Sequence, residues 1–352
     1  MEPTELNRQP DRTVYFDYLR VFATLAVMIL HISAQNWAVT DVNGHAWRVF
    51  NFADSVVRWG VPVFVMISGS LFLGRDIPVQ KLYTKYVLRM AISFVVWAAV
   101  YALFIDGTLL NRLSAVVEGH YHMWFILMIT GLYMCLPLIK PITETDSRLK
   151  YYLLLAFVFA FLLPELATLL RDFGNETVVN AANAIGGDLD DMDMHVVLGY
   201  AGYFILGFYL NKTELTRRQR LVVYALGVLG FAFTVMMDLI VALRTQTCCS
   251  HYYSNFTVNV LLEAVAVFTW FKYRRYDRER LNAFMRKMAK YSFGAYLVHA
   301  LVIEQLDARL GLNTLAFEPV LAVVGIGVIV FVVSFAVSAL LNQIPIVKKY
   351  MV

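Results

Sequence analysis

Long apolar runs separated by short polar, often basic, stretches dominate the chain. Ten of them are long enough, or nearly so, for a hydrocarbon core of ~30 Å, which needs about 20 mostly apolar residues per helix. They cover 15–37, 53–73, 86–105, 121–140, 151–170, 195–210, 221–242, 256–272, 291–309 and 318–342. The run 195–210 is the weakest, being short and rich in Gly and Tyr. In lipid a backbone must satisfy its own hydrogen bonds, so runs of this length predict helices. The pattern predicts an all-α polytopic membrane protein, a bundle of ten transmembrane helices with a central polar groove. These spans occupy most of the chain, so 1–352 reads as a single membrane domain with a short polar cytoplasmic tail over 1–13. No small-residue cleavage site follows the first run, which reads as a retained helix and not as a signal peptide.

Composition sharpens this picture. Apolar residues make up 59% of the 352 and charged residues 16%, with a mean hydropathy of +0.61. Soluble domains run at about 45–50% apolar and about 25% charged, so an ordinary soluble enzyme is excluded. Disorder is excluded as well, because so much apolar surface does not stay unpacked. The net charge of +4 comes with no basic face on a soluble domain, and no nucleic-acid partner is expected. Three cysteines, Cys135, Cys248 and Cys249, form neither a disulfide framework nor a metal-ligand spacing, and no metal is expected.

The placement of basic residues predicts orientation. With the N-terminal side taken as cytoplasmic, only Arg48, Arg58, Arg112, Arg171, Arg244 and Arg309 of the 30 Lys and Arg fall outside. This bias supports the helix count and predicts cytoplasmic termini. The largest outside loop, 171–194, carries Asp188, Asp190, Asp191 and Asp193. It reads as a solvated acidic loop, with a Ca²⁺ site as the alternative.

Ionisable residues within spans are costly and mark candidate sites. Arg20 and His31 lie 11 positions apart, within about 20° of three full helical turns, so they share one face about 16 Å apart along the axis. That spacing suits a long substrate with an anionic end at Arg20 and a reactive end near His31; an extended coenzyme A arm has a comparable reach. The same spacing also reads as a buried histidine bonded to a neighbouring helix, with Arg20 as a snorkelling anchor. Lys81, Lys85 and Arg89 form a stripe at i, i+4 and i+8, either a topology anchor or a phosphate dock. Ser68-Gly69-Ser70 allows close approach of a backbone or a ligand. Ser292, Tyr296 and His299 share a helix face, and His122 precedes Trp124 at an interface. Three carboxylates sit near the depth of His31: Glu263, Glu304 and Asp238. Glu263 is the preferred partner for His31, with Arg58 or Asn259 as its other candidate neighbours.

At this point the residues resemble the membrane-bound acyltransferase 3 family, which has ten core helices. The resemblance covers essentially the whole chain. It rests on Asp17-Tyr18-Leu19-Arg20 followed by His31; on Val61-Pro62-Val63-Phe64-Val65-Met66-Ile67-Ser68-Gly69; on the basic start of the third span; on His122-Met123-Trp124-Phe125 with Pro137; and on Ser292-Phe293-Gly294-Ala295-Tyr296-Leu297-Val298-His299. Around Val61 to Phe72 and His122 to Ile139 the chain is most similar to the enterobacterial-common-antigen O-acetyltransferase branch. One departure is visible: the basic motif usually has adjacent basic residues, whereas here Lys85 is followed by Tyr86 and then Arg89.

The resemblance implies an O-acetyltransferase. An acetyl or other short acyl group would pass from cytoplasmic acetyl-CoA to a hydroxyl of a cell-envelope glycan or lipid-linked sugar. It implies that His31 is catalytic, and the depth of Glu263 makes that carboxylate the one expected to orient it. Arg20, Lys85, Arg89, Ser68 and Gly69 would hold the donor. His122, Trp124, Ser292, Tyr296 and His299 would line the acceptor side. The lipid bilayer, a glycan acceptor and envelope-glycan assembly proteins are the implied partners. A transporter or flippase for a lipid-linked or acylated sugar is the alternative, although no paired broken helices of the kind such proteins carry are evident.

Overall fold

The computed structural model describes residues 14–352; the tail 1–13 anticipated above lies outside the described residues. Among the described residues there is no strand. The longer helices are α1 (Val14–Ala34), α2 (His45–Ser55), α3 (Gly60–Leu73), α4 (Leu88–Ala102), α5 (Leu109–Glu118), α6 (Trp124–Met134), α7 (Asp146–Ala156), α8 (Leu163–Phe173), α9 (Glu176–Asp191), α10 (Met194–Lys212), α11 (Arg217–Thr245), α12 (Val258–Lys272), α13 (Glu279–Leu310), α14 (Pro319–Leu341) and α15 (Pro345–Tyr350). Their ends follow local chemistry. Thr216 and Gln219 close a capping box at the start of α11. Thr145 and Asn175 accept the backbone N–H of Arg148 and Val178 at the starts of α7 and α9. Gly311, at φ 61°, ends α13 in the left-handed region open to glycine.

The chain is a polytopic membrane protein. Seven helical stretches among the described residues are long and apolar enough to cross a bilayer. An eighth qualifies if Trp124–Met134 and Leu136–Thr143, bent by 55°, count as one. The bend falls just before Pro137, whose ring lacks an N–H and crowds the preceding turn. The sequence reading of ten spans therefore exceeds what apolarity supports. The runs 195–210 and 291–309 do fold as helices, within α10 and α13, but they are not among those seven or eight. Both are wrapped by protein: Tyr203, Phe204 and Ile205 in α10 and Ala295, Leu297, His299 and Ala300 in α13 have no measurable exposure. A helix shielded from lipid can carry the Tyr, Ser, Asn and His residues that lower its mean hydropathy.

The acidic segment 171–194 also differs from expectation. It is not a loop for most of its length but the helix α9, started by Asn175 and carried by Ala181, Ala182 and Ala184.

α1 is the hub that positions the site. It packs on α2, α3, α12, α13 and α14. Interhelical hydrogen bonds fix its rotation: the Tyr15 hydroxyl donates to Asn211 Oδ1 at 2.6 Å, and that of Tyr18 to Asn282 Oδ1 at 2.9 Å. Beside it α3 and α10 cross with their backbones in contact. A Cβ built on Gly69 would stand 1.8 Å from the Phe204 carbonyl oxygen, and one on Gly207 would stand 2.1 Å from that of Met66. The two glycines are reciprocal parts of one crossing, as in small-residue packing of membrane helices. Gly69 is thus occupied by helix packing and is not a surface for the donor, a correction to the sequence reading. Adding a methyl at either position forces the backbones apart. Gly69→Ala and Gly207→Ala should each cost about 1–3 kcal/mol, read as a lowered unfolding temperature of the purified protein in detergent, whereas Gly187→Ala, which meets open space, should not.

Candidate active site

Two cavities approach each other from opposite ends of α1. The first, about 320 Å³, is lined by Arg20, Ser68, Arg89, Tyr133, Ser292 and Tyr296 among others. The second, about 660 Å³, is lined by His31, Gln35, Tyr121, Glu304 and Asp307 together with small apolar neighbours. Both volumes lie in the range of small-ligand sites. Arg20 and His31 thus line different cavities from one helix, as their 11-residue spacing requires.

Between the cavities lies a layer of rings. The Tyr296 hydroxyl, which borders the Arg20 cavity, donates to the His122 carbonyl at 2.5 Å. The His122 and His299 ring centres are 5.0 Å apart, and those of His31 and His299 are 5.1 Å apart. His31 lies 6.5 Å from His122 and 5.2 Å from Tyr121. Three imidazoles from three separate segments therefore surround one point. His122 and His299 are almost wholly buried, at 1% and 0% exposure, while His31 reaches the second cavity.

The tight loop after α5 delivers His122. Gly119, at φ 74°, turns the chain so that His120, Tyr121 and His122 enter the layer together. His120 stacks on Tyr101 at 4.1 Å. Its Nε2 lies 2.8 Å from Glu304 Oε1, and its Nδ1 lies 2.9 Å from His122 Nδ1. Tyr101 is itself tied to α13, donating to the Leu297 carbonyl at 2.8 Å and accepting from the Leu301 N–H at 3.0 Å. On the far side, Asp307 accepts from Gln35 Nε2 at 3.1 Å and from Asn313 Nδ2 at 2.9 Å, which fixes its carboxylate at the edge of the His31 cavity.

Of the residues singled out by sequence, Arg20, Ser68, Arg89, Ser292 and Tyr296 gather around the first cavity, and His31, His122 and His299 meet in the ring layer. Four do not join them. Gly69 is taken up by Phe204, as described above. Glu263 accepts from the Thr234 hydroxyl at 2.8 Å and lines a separate apolar cleft with Phe22, Trp59 and Trp270. It matches His31 in depth but not in direction. Trp124 is exposed and packs near Tyr200, outside both cavities. Lys85 is exposed and lies over the Tyr86 ring at 5.5 Å. The expected i, i+4, i+8 stripe assumed a regular α-helix, whereas Leu82–Val87 forms a wider π-helical turn that breaks the register between Lys85 and Arg89. Arg89 turns inward, and its Nη2 donates to the Val352 main-chain oxygen at 2.5 Å.

Sequence reasoning missed His120, Tyr121 and Asp307, and placed Glu304 only by depth. The pair of histidines flanking Tyr121 was the available signal, since two polar rings in three residues at the mouth of a span are costly without partners.

Among the described residues no group of three or more His, Cys, Asp or Glu could hold a metal ion. No curated protein and no solved structure matches the chain. A family profile described as an acyltransferase domain matches residues 13–339, nearly the whole sequence. On that match, and with helices apolar enough to cross a bilayer, the chain belongs to the acyltransferase 3 family and is a multi-pass membrane acyltransferase.

Proposed function

We propose that this protein is an integral O-acetyltransferase of the bacterial inner membrane that uses cytoplasmic acetyl-CoA and acylates a hydroxyl of a cell-envelope glycan or lipid-linked sugar. The observation that carries this reading is a histidine layer with a cavity on either side, His31 lining one and Tyr296, bonded to the His122 carbonyl, lining the other. A donor entering along the Arg20 cavity and an acceptor entering along the His31 cavity reach the same point from opposite faces. The whole chain works as one domain. α10 and α13 also cross the bilayer in the interior of the bundle, which brings the total to ten spans. The excess of Lys and Arg on the N-terminal side supports cytoplasmic termini. The similarity around Val61 to Phe72 and His122 to Ile139 favours the enterobacterial-common-antigen branch, with envelope-glycan assembly proteins as neighbours.

Arg20 and Arg89 suit the anionic end of coenzyme A. Their guanidinium groups can each make charge-assisted bonds to phosphate. About 16 Å along α1, the thioester end would reach the ring layer. The second cavity suits a sugar: Gln35, Tyr121, Glu304 and Asp307 offer acceptors, donors and an aromatic face for hydroxyl groups. In the transfer, His31 takes the proton of the acceptor hydroxyl as its oxygen attacks the thioester carbonyl. The C–O bond forms, the C–S bond breaks, and the proton passes to the departing thiolate. Ser68, Ser292 and Tyr296 line the path of the donor arm.

Two outcomes are expected. His31→Ala protein should remain in the membrane yet lose acetyl transfer by about 100-fold or more, measured as thiol release from acetyl-CoA in the presence of an envelope-glycan extract. Normal release would refute its role, and no release from the unaltered protein would favour a transporter. Arg89→Gln should raise the KM for acetyl-CoA roughly tenfold or more with kcat little changed, as the loss of a charged hydrogen bond predicts.

A further inference from the structure

We propose that Glu304 and His120 are positioning residues that act on this centre through His122, by fixing which of its nitrogens carries the proton. The inference rests on reading the histidine layer as the acyl-transfer centre, and it follows from counting hydrogens along two contacts. An ionised carboxylate only accepts, so His120 donates its Nε2 hydrogen to Glu304 across 2.8 Å. In its neutral form His120 then has a lone pair at Nδ1. The 2.9 Å contact between the two Nδ1 atoms needs one hydrogen, and only His122 can supply it. His122 Nε2 is left as a bare acceptor, buried and with no hydrogen-bond partner among the described residues. His299 arrives at the same state by another route. Its Nδ1 lies 2.5 Å from the Tyr296 carbonyl oxygen, which can only accept, so its Nε2 is also a bare, buried and unpartnered acceptor.

The two rings that carry these lone pairs have their centres 6.5 and 5.1 Å from that of His31. The consequence is electrostatic. When His31 takes the hydroxyl proton it becomes a cation in a site with little water. Two acceptor nitrogens near it, and the Glu304 carboxylate behind His120, stabilise that cation as it forms. With the opposite tautomer, N–H groups would stand in the same place and oppose it. Preorganised charge of this kind acts strongly in a poorly solvated site, and an acid that orients a base through a hydrogen bond is a recurrent arrangement. The stack of Tyr101 on His120 holds the chain in line. The other polar groups facing the layer include the hydroxyls of Tyr121 and Tyr296, the Leu297 carbonyl beside His122, the Arg58 guanidinium toward His31, and the Asp307 carboxylate, which Gln35 and Asn313 already engage.

Glu304→Gln in the full-length protein tests this, because glutamine keeps the shape but can offer either a donor or an acceptor to His120. The expected result is a kcat lowered by at least about tenfold, with the KM for acetyl-CoA and the unfolding temperature unchanged. His120→Gln, which breaks the chain one step later, should reproduce it. Wild-type kcat in both variants, or a loss that tracks a lowered unfolding temperature, overturns the proposal. His31→Ala is the separating arm. If it is inactive while Glu304→Gln is fully active, the positioning role alone fails; if His31→Ala is active, the reading of the centre fails.

Discussion

The hydrogen bond from Tyr296 to the main chain of His122 is the point on which the rest of the architecture turns. It ties α13 to the loop after α5, and so joins two segments that are 174 residues apart in the chain. The His120–Glu304 contact and the ring contacts of His122 with Tyr296 and His299 reinforce the same join. A tyrosine hydroxyl and a loop carbonyl placed in a lipid-surrounded interior have no water to fall back on, so each must satisfy the other. The polar layer is thus built from mutual necessity, and the apolar helices around it keep it dry.

That layer needs rigid walls, and the walls come from two kinds of contact. Between α3 and α10, glycines let backbones touch, so the crossing cannot shift without collision. Between α1 and its neighbours, tyrosine hydroxyls reach across to asparagines on α10 and α13 and fix the rotation of the helix. Rotation matters more than position here. A turn of α1 by a few tens of degrees would take His31 out of its cavity and Arg20 out of the other at once. Membrane helices gain little from burying apolar surface against each other, because lipid is equally apolar. The specific contacts therefore carry a larger share of the task than they would in water.

Much of this was legible in the sequence, and the failures share a cause. The Arg20–His31 face could be read because a helix has a fixed period, and both residues belong to one helix. Ser292, Tyr296 and His299 could be read for the same reason. Glu263 could not, because depth in a membrane is readable from residue number but the direction a helix faces depends on its neighbours. Lys85 failed because a π-helical turn altered the very period on which the reading relied. His120 and Tyr121 lie in a loop, where no period exists, and only Gly119 hinted that the chain doubles back. Among the described residues apolarity marks seven or eight stretches as able to cross a bilayer. α10 and α13 fall below that measure because they carry the polar groups of packing and chemistry.

This last relation connects fold to chemistry. In a soluble enzyme, the site is usually a polar cleft open to water, and a stray polar group costs little there. In this bundle each polar group must be placed by a helix that gives up some of its affinity for lipid to carry it. α13 makes the largest such concession: Ser292, Tyr296, His299, Glu304 and Asp307 all come from its 32 residues. It can do so because the other helices offset the cost of insertion with long apolar faces, α14 above all. The division is one of labour between outer helices that hold the protein in lipid and an inner pair, α1 and α13, packed on each other and facing the cavities. A bundle that put its histidines on outer helices would expose them to hydrocarbon, and one with only apolar helices could not supply the polar groups that line the two cavities.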